Sequence, residues 1–214
     1  MFALINVAAV SLTVSIAGAQ GRLGRELVTQ SLERGWNVRG IVRRIEDPVY
    51  HPVRRGWLDE RRPTEMEPVV SPNLTLTDNA TCSSDTNAII FVMSEPPVVF
   101  SRREPIREQT DLVRHLCHTS RHTNCSHVCL VSAFGAGESL YGANAGYRVM
   151  HDLYLKDLYR AKEEQERIVG NISHMATFVL RPKVLVFEPY PLNRFAVVRS
   201  ELATEILDWI DTTH

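Results

Sequence analysis

The sequence predicts an α/β fold: one doubly wound parallel sheet with helices on both faces. Three observations predict it. A β-branched apolar run enters a glycine-rich turn that opens an amphipathic helix, further continuous apolar runs recur along the chain, and helical stripes separate them. Continuous apolar runs mark strands covered on both faces, which is the environment of a central parallel strand.

The elements follow in order. Ser11 to Ala17 reads as the first strand and runs straight into GAQGRLG, residues 18–24. From Arg22 to Arg34, Leu23, Leu27, Val28 and Leu32 recur at helical spacing, and Gly35 stops the helix as a left-handed cap. Asn37 to Val42 is a second buried strand, completing a βαβ unit whose crossover is expected to be right-handed. Between Arg43 and Asp85, five prolines and the charged stretch WLDERRPTEMEP favour loops. A third strand falls near Val69-Val70 or Leu74–Leu76, and periodicity does not choose between them.

Ala88 to Met93 (AIIFVM) is the clearest strand after the first. Ile106 to Leu116 carries a helical stripe, and His127 to Ser132 (HVCLVS) is another buried strand. A long helix starts near Tyr147 or His151 and runs to Val169, ended by Gly170. Thr177 to Leu180 then reads as a sixth strand and Ser200 to Ile210 as a closing amphipathic helix.

A chain of 214 residues is long enough for one large core, and nothing in it demands a second, so residues 1–214 are expected to form a single domain. The net charge of -1 supplies no global field to attract nucleic acid or anionic lipid, so partners must be argued from sites. Trp36, Trp57 and Trp209 are not interleaved with a basic stripe, so the expected partner is a small molecule, with no nucleic acid and no membrane. Monomer and dimer both remain open.

The first twenty residues contain an apolar run that ends in Ala17-Gly18-Ala19, which resembles a signal-peptidase site. The stretch lacks a basic start, and cleavage there would remove the strand that the glycine turn needs. The apolar run is also too short to span a bilayer. Cys82, Cys117, Cys125 and Cys129 are expected to be reduced thiols, and the protein is expected to be cytoplasmic. Four N-x-S/T sites, at Asn73, Asn79, Asn124 and Asn171, would matter only after secretion.

Gly18, Gly21 and Gly24 have the G-x-x-G-x-x-G spacing that permits a tight turn, a close approach of backbone to a pyrophosphate, and close packing of helix on strand. Backbone amides at the helix start then face the phosphates. With a strand before it and a βαβ unit after it, the turn predicts a dinucleotide site contributed by Gly18, Gln20, Gly21, Arg22, Leu23 and Gly24. An NAD-selective site places a carboxylate at the end of the second strand. Arg43 and Arg44 stand there instead and suit a 2′-phosphate, and Arg22 adds a third cation, so the expected cofactor is NADP(H).

Four segments stand out together: GAQGRLG with VRGIVRR, LVSAFGAGES after the fifth strand, AKEEQE in the long helix, and LRPKVL after the sixth strand. In this order they resemble the atypical short-chain dehydrogenase/reductase group, which includes NmrA-like proteins and biliverdin reductase B (flavin reductase). The resemblance spans nearly the whole chain and implies a Rossmann-like NAD(P)H-binding domain. It implies that the loop Met93 to Pro97, including Ser94, and the strand end Ser132 to Phe134, including Ala133, border the nicotinamide. It also implies that Lys162 reaches the nicotinamide ribose, that Arg181, Pro182 and Leu185 line the pocket, and that Glu166 belongs to the same helix motif.

The sequence departs from the classical Tyr-x-x-x-Lys pair. Tyr141, Tyr147, Tyr154 and Tyr159 are followed four positions on by Ala145, His151, Leu158 and Glu163, although Tyr159 and Lys162 are close enough to share a helix face. The resemblance implies an NADPH-dependent reductase of a small conjugated acceptor, such as a flavin, a quinone, a tetrapyrrole or a carbonyl compound. Ser132, Tyr147 and Lys162 are its candidate catalytic residues, though a hydroxyl at a strand end can equally serve local backbone. The missing tyrosine pair keeps open a non-enzymatic NADP(H)-sensing regulator of NmrA type, and a biosynthetic isomerase or cyclase could use the same pocket.

Cys117, His118, His122, Cys125, His127 and Cys129 crowd into thirteen residues, a composition that suits zinc. They contain no C-x-x-C pair, and alternate residues of a strand face opposite ways, so no metal site is expected.

Overall fold

The computed structural model describes residues 11–51, 67–78, 81–93, 104–136, 155–182, 184–186 and 196–213. Six parallel strands form the main sheet: β1 (Thr13–Ala17), β2 (Asn37–Ile41), β3 (Leu74–Thr77), β4 (Ala88–Phe91), β5 (His127–Val131) and β6 (Ala176–Leu180). Their spatial order is β3-β2-β1-β4-β5-β6, so the winding reverses between β1 and β4. Among the described residues four α-helices accompany them: α1 (Arg22–Glu33), α2 (Glu104–Thr119), α3 (Lys156–Gly170) and α4 (Arg199–Thr213). The Asn37–Ile41 strand lies parallel to β1 in the register Val14 to Val38 and Ile16 to Gly40, as a βαβ unit requires.

The apolar runs alternate between two cores. Ala88 and Ile90 of β4 join Cys129 and Val131 of β5 on the face that receives Leu23, Leu27 and Val28 of α1 with Leu202, Ile206 and Leu207 of α4. Ile89, Phe91, Val128 and Leu130 face the other side, against Val113 and Leu116 of α2 and Val169 of α3. Each central strand is therefore apolar on both faces, which is why its sequence does not alternate.

Helix α1 ends as its sequence suggests. Gly35 takes φ +77, its amide donates to the Leu32 carbonyl at 3.0 Å, and the Trp36 amide donates to the Ser31 carbonyl at 3.0 Å, a pattern that needs a left-handed residue after the cap.

Of the two places open for the third strand, Leu74–Thr77 forms it, whereas Pro68 only bridges Tyr50 and Val69 donates to Val49 in an irregular connection. Other expectations need correcting. Gly170 is the last helical residue of α3, not a left-handed stop, and Asn171 caps it with φ -85. A second pair of short parallel strands, β7 (Val184–Val186) and β8 (Ala196–Val198), was not anticipated. Both are three residues long, too short for periodicity to register. Helices α2 and α4 each extend beyond the expected Ile106–Leu116 and Ser200–Ile210. The expected start of the long helix near Tyr147 or His151 lies outside the described residues.

Candidate dinucleotide-binding site

The winding reverses between β1 and β4, and the ligand crevice of such a sheet is expected outside their carboxyl ends. Gly18 leaves β1 with φ +95, a conformation that disfavours a side chain, and a Cβ there would meet the Val92 backbone at 3.2 Å. A Cβ on Gly24 would overlap the Gly18 carbonyl oxygen and stand 2.9 Å from the Ala19 backbone, so helix and turn pack at the closest distance two backbones allow. Gly21 is the N-cap of α1, has no side chain to cap the helix, and donates its amide to the Gly18 carbonyl at 2.9 Å. The first turn of α1 contains no acidic residue. Its opening amides and the positive end of its dipole therefore suit an anion.

Gln20 braces this turn against the loop after β2. Its side-chain amide donates to the Arg44 carbonyl at 3.1 Å and to the Asp47 carbonyl, so the segment carrying Arg43 and Arg44 is tied directly to the glycine turn. Both arginines are exposed beside it. Arg22 is exposed at the first position of α1, and Leu23 is buried beneath it. Arg199, the first residue of α4, carries no sequence signal that would mark it for this site. Burial first, and then the Arg22 charge, push its guanidinium down to about 10, with Glu26 opposing the shift. A second cation thus stands close to Arg22 at the mouth of α1. Only the packing of α4 along α1 brings it there, since the two residues are remote in sequence.

On the other side of the crevice, Lys162 is buried at 3% exposure. Its ammonium donates to the Met93 carbonyl at 2.8 Å, the Val131 carbonyl at 3.4 Å and the Gln165 side-chain oxygen at 3.3 Å. Gln165 in turn donates to the Thr110 hydroxyl at 3.3 Å. The lysine therefore joins the carboxyl ends of β4 and β5 to α3, and Thr110 extends the chain to α2. Its three N–H donors all have protein acceptors. Burial pushes its pKa down to about 8, and the Glu166 carboxylate partly opposes that shift. Tyr159 is also buried on α3, on the same helix face.

Ser132 immediately follows β5. Its amide donates to the Leu180 carbonyl at 2.7 Å, and its hydroxyl is buried with no hydrogen-bond partner among the described residues. Most buried hydroxyls are bonded, and Ser132 shares the unbonded state with the Thr29 and Ser31 hydroxyls of α1, but it alone of the three stands at a strand end beside the glycine turn's side of the sheet. Ala133 follows it, and the Phe134 amide donates to the Pro182 carbonyl at 3.1 Å, which places Pro182 beside this loop. Arg181 directly follows β6. Its guanidinium forms a two-point pair with Glu166 at 2.9 and 2.6 Å, closing β6 onto α3. Leu185 lies in β7, beyond this loop. Tyr147 and Ser94 lie outside the described residues. Among the described residues no group of three or more His, Cys, Asp or Glu side chains could hold a metal ion.

Glycine turn, phosphate-facing helix start and winding reversal together define a dinucleotide-binding α/β domain. Residues 18–205 match the NAD(P)H-binding family, and the chain belongs to it. That is the family relation which the glycine turn and the later motifs suggested by resemblance. The fold is shared with the oxidoreductase ylbE from Lactococcus lactis, at 14% identity and TM-score 0.64 over 94% of this chain and 85% of that one. It is similar to ChuY, an anaerobilin reductase from Escherichia coli O157:H7, at 16% identity and TM-score 0.60 over 92% and 89% of the two chains. It also resembles UDP-N-acetylglucosamine 4-epimerase from Bacillus cereus, at 16% identity and TM-score 0.59 over 94% and 74%. No curated protein shows significant sequence similarity to the chain. No helix among the described residues is long and apolar enough to cross a membrane.

Proposed function

We propose that the protein is an NADPH-dependent reductase of a small conjugated acceptor such as a flavin, a quinone, a tetrapyrrole or a carbonyl compound. The observation that carries the reading is the combination of a phosphate-ready glycine turn with an orphaned buried hydroxyl, Ser132, across the same crevice. When bound, the cofactor would supply a hydride to the acceptor. Everything else falls to the chain. The amides opening α1, with Gly18, Gln20, Gly21, Leu23 and Gly24 shaping the turn, hold the pyrophosphate. Arg43 and Arg44, held by Gln20, face the 2′-phosphate and select NADP(H) over NAD(H), while Arg22 and Arg199 add positive charge nearby.

Ser132 offers its hydroxyl to the nicotinamide amide or to the acceptor oxygen. Lys162 acts as a positioning residue, because it fixes the carbonyls of Met93 and Val131 at the crevice floor and places a titrating charge beneath it. An acceptor that takes its final proton from solvent asks for no tyrosine acid, which suits a chain lacking the Tyr-x-x-x-Lys pair.

The protein is read as one domain, and as cytoplasmic. A cut after Ala19 would remove β1, the strand that pairs with both β2 and β4. Calorimetric titration with NADPH, NADH and NADP⁺ tests the cofactor reading, followed by NADPH oxidation against a panel of flavins, quinones, linear tetrapyrroles and carbonyls. Tight NADPH binding with turnover of at least one acceptor supports the proposal. Equal affinity for NADH removes the role given to Arg43 and Arg44. Tight binding with no turnover across the panel favours instead a dinucleotide-sensing regulator, a reading that the saturated donors of Lys162 also permit. In that case the set of proteins captured on the immobilised chain should change with NADP(H).

A further inference from the structure

At the opposite end of the sheet from the glycine turn, three thiols meet. Cys82 lies in the segment leading into β4, Cys117 in the last turn of α2, and Cys125 just before β5. Cys117 and Cys125 belong to one buried cluster, and Cys82 packs against it. One hydroxyl links the Cys82 thiol to the Cys125 backbone: Thr123 Oγ1 stands 3.6 Å from Cys82 Sγ and accepts from the Cys125 amide at 3.2 Å. The Cys82 amide donates to Thr119 Oγ1 at 3.3 Å, which anchors the Cys82 backbone to the end of α2. The Cys125 thiol also reaches the His127 carbonyl at 3.4 Å.

The two sulfurs differ in access and in acidity. Cys82 is half-buried and reachable by a small solute, whereas Cys125 is only 6% exposed. A hydrogen bond from Cys125 first, then those from Thr123 and Thr86 and the charge of Arg39 on β2, hold the Cys82 thiol at about 6 against the opposing effect of burial. Burial pushes Cys117 up to about 12, and the Cys82 contact pushes Cys125 well above the ordinary thiol range. Asp85, on the same segment as Cys82, is held below the ordinary carboxylate range chiefly by a hydrogen bond from Ser83, with the Arg39 charge adding to it. The nucleophilic form is the thiolate, so one thiol of this cluster is selected for reaction.

We propose that Cys82 and Cys125 form a redox-active dithiol, in which Cys82 attacks a hydroperoxide and Cys125 resolves the product as an intramolecular disulfide. In the first step a sulfur–oxygen bond forms at Cys82, the peroxide O–O bond breaks, and the departing alkoxide or hydroxide takes a proton to leave as alcohol or water. In the second, the Cys125 sulfur attacks the Cys82 sulfenic acid, the S–O bond breaks, and the hydroxide leaves with the Cys125 proton as water. Two thiols lose two electrons to one hydroperoxide. The site is separate from the dinucleotide crevice and does not depend on its reading.

The test uses the full, reduced chain treated with one equivalent of hydrogen peroxide, capped with a maleimide and mapped by non-reducing peptide mass spectrometry. The expected product links Cys82 to Cys125. With Cys125→Ser, a dimedone-type probe should label Cys82 alone, and with Cys82→Ser the disulfide should vanish. Alkylation of Cys82 should follow a half-titration near pH 6, so that at pH 7 about nine-tenths is thiolate against about 3% for an ordinary thiol. A Cys82–Cys117 link, a half-titration above pH 8, or oxidation of Cys82 without any disulfide would each overturn the assignment. The peptide map of the unsubstituted chain decides among these outcomes even where a variant fails to fold.

Discussion

At the scale of single residues, the crevice sets two polar groups against different physical demands. Lys162 is charged and buried, so its ammonium loses hydration in the folded state. Its pKa falls to about 8, below the value of about 10.4 for an unfolded lysine. Between those values the unfolded chain holds more protons than the folded one, so stability rises with pH across that window. The cost is fully present below pH 8 and gone above about 10.4. Relative to Lys162→Met, the unsubstituted protein should gain on the order of 3 kcal/mol between pH 7 and pH 10.5. Urea unfolding of both proteins across that range measures it, and a constant difference would show that the lysine is not desolvated.

Ser132 is the opposite case, because its hydroxyl forms no bond to lose. Ser132→Ala should change stability by less than about 1 kcal/mol, yet lower kcat for NADPH oxidation by about 10² if the hydroxyl meets substrate or cofactor. Replacing Arg43 and Arg44 together with Ala should weaken NADPH binding by about thirtyfold and leave NADH nearly unchanged, since a hydrogen bond to a charged group contributes about 2 kcal/mol. Paired calorimetric titrations check this. All of these residues were legible from the sequence as candidates. What was not legible was that Arg181 would be engaged by Glu166, or that Arg199 would approach Arg22. Both contacts join residues on different elements, and no local pattern encodes them.

At the scale of elements, the turn between β1 and α1 carries the site, and its geometry leaves little room for substitution. Gly24→Ala would drive a methyl into the Gly18 carbonyl. Overpacking of this kind costs about 2 kcal/mol, so the variant should melt several degrees lower and lose NADPH affinity at the same time. Scanning calorimetry with and without NADPH separates the two losses. Gln20→Ala, by contrast, should leave the melting temperature nearly unchanged. It releases the Arg44 loop, so the expected result is a rise in the NADPH dissociation constant with little change for NADH.

The elements best anticipated were those whose pattern arises from their own neighbours. The first βαβ unit and the strands at Ala88 and His127 have long apolar runs because both faces are covered. The helix stop at Gly35 follows from a local conformational requirement. The third strand was ambiguous because β3 pairs with β2 alone at the sheet edge, where burial is partial and the apolar signal weak.

At the scale of the whole molecule, the crevice exists because two halves of the sheet wind in opposite directions around β1 and β4. A ligand seated there bears on the turn of one half and on the strand ends of the other, so it should stabilise the fold as a unit. With NADPH at one hundred times its dissociation constant, the gain is about 2.7 kcal/mol, or roughly 8 °C in Tm for a chain of this size. Differential scanning fluorimetry reads the shift, and its absence would contradict binding at a site built from the folded state.

By itself the sequence determined the class of fold, the position of the glycine turn and the cations beside it, because each depends on local spacing and on which side chains fit a tight turn or a covered strand, whereas Ser132 comes only from the family resemblance. Only the tertiary structure decided which distant groups share the crevice: Lys162 against the carbonyls of Met93 and Val131, Arg199 against Arg22, and, at the far end of the sheet, Cys82 against Cys125. Strand order and helix packing set those meetings. They are fixed by the burial of whole faces rather than by any segment's own preference.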